Sequence, residues 1–323
     1  MATVFGDITE KDDYPHPLGP EKNFNESMYF NFFDRTNDLG GFVRLGNRAN
    51  EGYAEMTVCL YLPGGPVLFN YQRPQITNND AFDAGGLRFE TLEPLRRLRT
   101  VYEGRAVYLA DPTQMANPRH AFSTNPFKEV SLDLVHEAVG PAYGSTGADR
   151  EVTNPDEEFA RAHYEQHMRA RGTLIIDGQT LELNGLGLRD HSWGPRYWQA
   201  IHHYRWLTIN FGPDFGMMCS LVARTPADVT RGGVLVRGDR LERIRDIALD
   251  TAYDANGLYH RSFTALVTLE SGEELSLDGK VKSFIPLRNR REGMVTHIGE
   301  GMTEYRCGDF VGYGLSEYLD QVE

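Results

Sequence analysis

Runs of alternating apolar and polar residues, separated by glycine-rich turns, occupy most of this chain. Residues 130–136 alternate almost strictly, and residues 204–211 are rich in β-branched and aromatic side chains, both of which are typical of strands. Asp177-Gly178 joins two such runs in the manner of a tight hairpin. One short helix is predicted, over 156–171. Because strands do not alternate with regular helices, the pattern predicts an all-β protein of antiparallel strands and disfavours a parallel nucleotide-binding sheet.

Residues 139–156 interrupt the strand pattern with glycine, proline and serine, as a linker or a long loop would. We therefore divide the chain into an N-terminal β domain, 1–150, and a C-terminal β domain, 151–323. Two successive units of this kind predict paired barrels or one continuous double barrel. With 323 residues and 40% hydrophobic content, the chain is long enough to fill two cores.

The segment 185–198 departs most from the strand pattern, because it combines three glycines and a proline with charged and aromatic side chains. We expect a fixed bend, because loops that carry catalytic or binding residues often have this composition. Asp190 and His191 are candidates for proton transfer, and the pKa of Asp190 would be raised if it lay among aromatic rings. The aromatic faces that could stabilise a developing cation belong to Trp193, Tyr197, Trp198, Tyr204 and Trp206. The structural alternative is a buried turn in which Arg189 and Asp190 form an ion pair.

Another candidate lies in the predicted strand 25–34. Alternation puts Glu26 on the same face as Met28, which could look inward, while Tyr29 looks the other way. A carboxylate in an apolar interior requires a partner or a raised pKa, although Glu26 could instead form a salt bridge at the strand end. The prolines that precede this strand predict an irregular lead-in over the surface of the fold. The predicted catalytic residues are Asp190, His191, Trp193 and Tyr204, and the predicted substrate-binding residues are Glu26, Tyr29, Arg189, Tyr197, Trp198 and Trp206.

The composition of the chain limits the kinds of partner that it can bind. The net charge of −13 and the pI of about 5.3 oppose binding to nucleic acid through a positive field. Cys59, Cys219 and Cys307 stand far apart, which disfavours a disulfide framework or a cysteine zinc site. Residues 1–22 contain no apolar run, and no later run is long enough for a membrane span. We expect a cytoplasmic protein with a small apolar substrate, and a homodimer is left open.

Metal and cofactor motifs are weak. No dinucleotide or phosphate-loop fingerprint is complete in the sequence. His163 and His167 stand four residues apart, but the glutamate between them is misplaced for the zinc-protease motif. His191, His202 and His203 do not suit a three-imidazole site, because adjacent residues of a strand point to opposite faces. We therefore predict no metal and no cofactor.

The motif Gly-x-Gly-x-x-Asp-His-Ser-Trp-Gly-x-Arg, over residues 185–196, together with the closing segment 312–317, resembles the carotenoid 1,2-hydratase family and its AttH-like relatives. The segment Asn-Glu-Ser-x-Tyr-Phe, over residues 25–30, is similar to the start of the hydroxyneurosporene-synthase-like branch. The resemblance implies two lipocalin-like antiparallel β-barrel domains packed together, with an apolar ligand pocket.

In the carotenoid hydratases a His-x-Trp pair and a later Tyr-x-Asp pair are taken as catalytic. His191 and Trp193 match the first pair, whereas the second pair is missing from its expected place. The resemblance therefore leaves Asp190, Glu26 or Asp214 as the substitute acid, or a relative that has kept the barrel and changed the chemistry.

Two function classes follow. The first is an acid–base enzyme that acts on an apolar alkene or alcohol, such as an isoprenoid or a steroid, as a hydratase or dehydratase, or as an isomerase or cyclase. The second is a noncatalytic carrier or sensor of apolar ligands, because lipocalin-like barrels can hold ligands without reacting them. The acid–base candidates within 185–198 favour the enzyme.

Overall fold

The computed structural model describes residues 3–148, 154, 157–159, 161–291 and 293–322. Its content of 68% strand and 7% helix confirms the predicted all-β class. The strands are β1 (Val4–Gly6), β2 (Phe24–Asp34), β3 (Leu39–Arg48), β4 (Tyr53–Tyr61), β5 (Val67–Gln72), β6 (Asp83–Ala84), β7 (Leu87–Glu93), β8 (Arg97–Leu109), β9 (Phe127–Ser145), β10 (Ala162–Ile176), β11 (Gln179–Pro195), β12 (His203–Gly212), β13 (Phe215–Thr225), β14 (Asp228–Arg237), β15 (Arg240–Tyr253), β16 (His260–Leu269), β17 (Glu274–Arg291), β18 (Met294–Cys307) and β19 (Phe310–Val322). The helical elements are α1 (Pro118–Thr124) and the 3-10 turns Glu10–Asp13, Ala49–Glu51, Pro112–Ala116 and Trp198–Ala200. Within the described ranges, no helix combines the length and the apolar character that crossing a bilayer requires.

The first of two compact units comprises Met1–Pro63, Leu68–Tyr108 and Asn125–Tyr197. In the described part of the chain, its sheet has the strand order β1-β9-β10-β11-β2-β3-β4-β5-β8-β7-β6, and β9 also pairs with β8. That additional pairing closes the strands from β9 through β11 and β2 to β8 into a barrel. Its interior contains an apolar core with Phe30 and Leu132 among its members.

The second unit comprises Gly64–Val67, Leu109–Thr124 and Trp198–Glu323. Here β12 to β19 are neighbours in chain order, and the pairing of β12 with β19 closes an antiparallel barrel. An apolar core that includes Phe263 and Tyr305 fills it. The prediction of a two-domain all-β fold with antiparallel barrels is therefore confirmed.

The division between the units differs from the boundary expected at residue 150. β10 and β11 belong to the first unit, because β11 lies between β10 and β2 and forms ladders with both. A strand that is hydrogen-bonded along both edges stays with its sheet. The Asp-His-Ser-Trp-Gly motif, at 190–194, consequently lies in the first unit and not in a C-terminal domain that begins at 151.

The helix expected over 156–171 is not formed where the chain is described. Residue 156 lies outside the described residues, and Ala162–Ile176 is strand β10, which pairs with β9 on one edge and β11 on the other. The reason is tertiary, because two neighbouring strands supply hydrogen bonds that local helix preference cannot match.

The bend expected over 185–198 is also largely strand, because β11 continues to Pro195. A Cβ added at Gly187 would lie 1.8 Å from the carbonyl oxygen of Asn31, and one at Gly185 would lie 2.6 Å from that of Phe33. These two glycines therefore let β2 approach closely and do not form a turn.

Two buried histidines of the second barrel bind protons weakly. His260 is 0% exposed, and its Nε2 lies 2.8 Å from Oγ of Ser316. Burial lowers the pKa of His260 to about 3 and that of His297 to about 4, from an ordinary value of 6.5. Because unfolding restores the ordinary pKa, these groups contribute stability above pH 6.5, and the contribution is lost as the pH falls towards the folded pKa values.

We expect the second barrel to lose stability between pH 7.0 and 5.0, with His260 alone accounting for about 2 kcal/mol of the free energy of unfolding. The test is urea unfolding at both pH values for the parent and for His260→Phe, which should lose correspondingly less on acidification. His120→Phe, at an exposed position of α1, is the control. Equal acid losses in the parent and His260→Phe would contradict the assignment.

Candidate active site

A fully buried carboxylate forms the centre of the site. Glu26 lies on β2 and faces the interior of the first barrel, on the side of Met28. Its Oε1 is 2.7 Å from Nδ1 of His16 and 2.9 Å from Nε2 of His191. Its Oε2 accepts the backbone N–H of His16 at 2.8 Å and a hydrogen bond from the side-chain amide of Asn79. Burial favours the neutral acid, yet the hydrogen bonds from the two imidazoles outweigh it and hold the pKa of Glu26 at about 2.

His16 reaches this carboxylate from the N-terminal segment. It stands between Pro15 and Pro17, and the proline that follows favours extended backbone at His16. Its ring stacks on that of Trp193, with centroids 4.0 Å apart and an interplanar angle of 13°. We expected the lead-in to lie over the surface of the fold. Instead, it places the imidazole of His16 against the ring of Trp193.

The environment of His16 favours its charged form. Nε2 of His16 lies 3.2 Å from Oδ1 of Asp12, while Nδ1 contacts Glu26. Burial lowers the pKa of His16, but the hydrogen bonds and charges of Glu26 and Asp12 outweigh it and raise the pKa. The His16 side chain is 20% exposed, whereas those of Glu26 and His191 are 0% exposed. His16 is therefore the most exposed member of the trio.

A buried ion pair adjoins this trio. The Arg189 guanidinium donates to the carboxylate of Asp13 and, from Nε and Nη2, to Oε1 of Gln166 at 3.1 and 2.9 Å. The Tyr164 hydroxyl also donates to Asp13, and its ring centroid lies 4.8 Å from the Arg189 guanidinium carbon. Burial raises the pKa of Tyr164 well above its ordinary value, so this group remains a hydroxyl. Each guanidinium nitrogen of Arg189 thus donates to Asp13 or Gln166, which gives this cation a structural role.

One contact links the trio to the ion pair. Nδ1 of His191 is 3.4 Å from the Tyr164 hydroxyl, because the two residues are directly paired between β11 and β10. Polar side chains therefore form a continuous series through the interior, in the order Asp12, His16, Glu26, His191, Tyr164 and Asp13.

The structure brings three of the predicted site residues together, namely Glu26, His191 and Trp193. Trp193 pairs directly with Glu26 across β11 and β2, and the rings of His191 and Trp193 are 5.3 Å apart. The reason is the period of two residues in a strand, which puts positions 191 and 193 on one face. Arg189 lies on the same face of β11.

Asp190 and Tyr29 point away from this cluster. They pair with each other across β11 and β2, on the opposite face from His191. The Asp190 carboxylate lies 2.7 Å from Nε2 of His163, so neither Arg189 nor a substrate-facing aromatic ring is its partner. Burial raises the pKa of Asp190, but the charge of His163 lowers it below the ordinary value. The condition on which we expected a raised pKa, a position among the aromatic rings, is not met. Asp190 is thus ionised and is not placed to deliver a proton beside Trp193.

The other predicted aromatic residues lie elsewhere in the chain. Tyr197 ends the first unit, and its backbone N–H donates to the carbonyl of Glu158 at 2.8 Å. Trp198 begins a 3-10 turn, and Tyr204 and Trp206 lie on β12, all in the second unit. Their predicted roles stay predictions.

Sequence reasoning missed His16, Asp13 and Tyr164. His16 and Asp13 precede the first long strand, and Tyr164 falls in the segment expected to be helical. A usable signal was the combination of adjacent acidic residues with a histidine between two prolines, because rigid backbone can present such a side chain precisely.

Two groups in the described part of the chain offer ligand atoms within 4.8 Å of one another, as a metal would require. They are His16, Glu26 and His191, and His163, Glu165 and Asp190. Burial lowers the pKa of His163, yet Asp190 and Glu165 raise it to about 10, and the pKa of His16 is also raised. Both groups form hydrogen-bonded ion pairs, and a metal would have to displace the proton of an imidazole to bind at either one.

The profile of a protein family described as "Domain of unknown function (DUF7064)" matches residues 9–322. Among solved structures, a provisionally assigned AttH protein of Nitrosomonas europaea is 14% identical, with a TM-score of 0.63 over 95% of this chain and 98% of that one. Kievitone hydratase of Nectria haematococca is 13% identical, with a TM-score of 0.59 over 99% and 97%. CghA in complex with Sch210972 is 13% identical, with a TM-score of 0.56 over 100% and 94%. A search of curated protein sequences found no match. The similarities confirm, at the level of the fold, the family resemblance indicated by residues 185–196.

Proposed function

We propose that this chain, which belongs to the DUF7064 family, is an acid–base enzyme that adds water to an apolar alkene or eliminates it from an apolar alcohol. Isomerisation or cyclisation of an alkene could use the same acid. The observation that supports the proposal is the single buried oxygen, Oε1 of Glu26, that contacts two imidazoles at 2.7 and 2.9 Å. Paired proton donors and acceptors in a water-poor interior are what general acid–base catalysis requires. The fold shared with a protein named as a hydratase agrees with this choice.

In the direction of hydration, the His16 imidazolium gives its proton to one alkene carbon, and the electron pair of the double bond forms the new C–H bond. The positive charge that develops on the other carbon is stabilised by the face of Trp193 and by the carboxylate of Glu26. A water molecule then adds its oxygen to that carbon and gives a proton to the imidazole of His191. Elimination of water follows the same steps in reverse.

Glu26 connects the two imidazoles after each turnover. The forward reaction leaves His16 without its proton and His191 with an additional one. Because Oε1 of Glu26 contacts both rings, the proton can return from His191 to His16 through this carboxylate. The buried ionised group therefore has a role in an enzyme that a carrier of apolar ligands does not require. Burying a charge costs free energy, and a buried charge that takes no part in a reaction does not strengthen the binding of an apolar molecule.

The direct test is incubation with prenylated phenols, terpenoid alkenes and the corresponding tertiary alcohols, followed by mass spectrometry. Gain or loss of one water molecule, with incorporation of oxygen-18 from labelled water, is the expected result. Asp190→Asn should retain turnover, because Asp190 lies on the other face of β11. Binding of these compounds without any conversion would support the carrier instead.

The pH dependence of the rate should report on His16. Since the imidazolium is the acid in hydration, kcat/KM should decline on the alkaline side as the pH rises through the raised pKa of His16. Asp12 contributes to that raised pKa, so Asp12→Asn should move the decline to lower pH while the maximal rate stays similar. Glu10→Gln, on the same 3-10 turn, is the matched control. A profile that Asp12→Asn leaves unmoved would exclude His16 as the acid.

A further inference from the structure

The opposite face of the same strands carries a different polar cluster. Three small residues pair across β11, β2 and β3, with Ser192 opposite Ser27 and Ser27 opposite Gly46. The two serine hydroxyls are 3.0 Å apart. Because these side chains are short, larger side chains from neighbouring positions extend over them. This face is distinct from the one that carries Glu26.

Guanidinium groups cover this row of small residues. A Cβ added at Gly46 would lie 2.8 Å from Nη2 of Arg44, so this guanidinium lies directly over the glycine. Nη2 of Arg196 donates to Oγ of Ser192 at 3.0 Å, and Arg48 is 1% exposed nearby. Positively charged donors thus approach the row of small residues from two ends.

The guanidiniums near Arg196 share carboxylates with one another, and Arg48 also pairs with Glu51 at 2.8 Å. The carboxylate of Glu55 forms ion pairs with several guanidiniums, at 3.3 Å from Arg44 and 3.5 Å from Arg48. Burial and the like charges of Arg44 and Arg48 lower the pKa of Arg196 to about 10, against the opposing effect of Asp190. An additional negative charge at this position would be stabilised.

An unsatisfied amide lies beside these guanidiniums. Asn25 is 1% exposed, and neither Oδ1 nor Nδ2 of its side chain has a hydrogen-bond partner among the described residues. Its Oδ1 lies 3.0 Å from the position that a Cβ of Gly46 would occupy, which is also beside Nη2 of Arg44. A buried amide that lacks partners is destabilising unless a ligand or water supplies them.

We propose that the face formed by Asn25, Arg44 and Arg196 binds the carboxylate group of a small organic acid. A planar carboxylate can accept two hydrogen bonds from a guanidinium and a third from the Asn25 amide. Tyr29 and Phe42 continue the same face, with ring centroids 5.8 Å apart, and indicate an aromatic or otherwise apolar body for the acid. The inference does not depend on the proposed function, because these side chains point away from Glu26.

The first test is calorimetric titration with cinnamate, with cinnamamide as the neutral isostere and inorganic phosphate as the alternative anion. Cinnamate should bind at least about tenfold more tightly than either, and Arg44→Gln should remove that preference. Arg237→Gln, which alters a partly exposed ion pair of the second barrel, should leave binding unchanged. Equal binding of cinnamate and cinnamamide, or tighter binding of phosphate, would overturn the proposal.

A second variant keeps the proposal testable if Arg44→Gln does not fold. Asn25→Asp places a carboxylate beside the guanidiniums within the chain itself. It should raise the melting temperature of the ligand-free protein and abolish the binding of cinnamate. A lower melting temperature with unchanged cinnamate binding would refute the assignment of this face.

Discussion

Glu26→Gln should lower turnover by at least about a hundredfold while the affinity for an apolar substrate changes little. Glutamine keeps the size of the side chain, but it removes the charge that raises the pKa of His16 and the oxygen that relays a proton between His16 and His191. Both the acid and its regeneration are then impaired. Single-turnover rates and equilibrium binding measured on the same substrate separate the two effects.

Glu165→Gln is a close control for this experiment. Glu165 is also a buried carboxylate with a histidine beside it, because Nε2 of His163 lies 3.2 Å from its Oε1. It pairs with Asp190, on the face of the sheet opposite His191. Turnover in Glu165→Gln should therefore stay within about threefold of the parent. Equal losses in the two variants would show that removing any buried carboxylate disturbs the barrel, and the relay would lose its support.

Asp13→Asn should lower the free energy of unfolding by about 3 kcal/mol or more. Asp13 and Arg189 both have 0% exposed side chains, so the substitution leaves a buried guanidinium without its counter-charge. The same change deprives the Tyr164 hydroxyl and the backbone N–H of Leu95 of a charged acceptor. The midpoint of thermal unfolding should fall by roughly 10 °C.

The matched control is the ion pair of Arg99 with Asp133, whose side chains are 36% and 41% exposed. Asp133→Asn should cost less than about 1 kcal/mol, because solvent screens an exposed pair. Adding Arg189→Met to Asp13→Asn should restore part of the lost stability, since no uncompensated charge is then buried. If Asp13→Asn and Asp133→Asn have similar effects, the buried pair contributes no more than a surface pair does.

Local alternation along β2 and β11 was sufficient for the all-β class and for the inward direction of Glu26. A strand places every second side chain on one face, so the apolar partners of Glu26 in the sequence already indicate which face is buried. The same rule applied to β11 joins His191 with Trp193 and separates both from Asp190. We expected a bend there and named Asp190 beside His191 as a candidate for proton transfer, whereas in the structure the two residues lie on opposite faces of β11.

Tertiary structure alone decided which strands belong together and which groups meet. Hydrogen bonds of a sheet connect strands that are distant along the chain, so the assignment of β10 and β11 to the first unit follows from their ladders with β9 and β2. The contacts of Glu26 join it to His16 in an irregular lead-in and to His191, 165 residues away in the sequence. Neither the spacing of residues nor the composition of the chain predicts these contacts, because the register between strands is set by packing across the whole barrel. The chain itself therefore determines the chemical groups and the faces they occupy, whereas the closure of the first barrel determines which of them form an acid–base site.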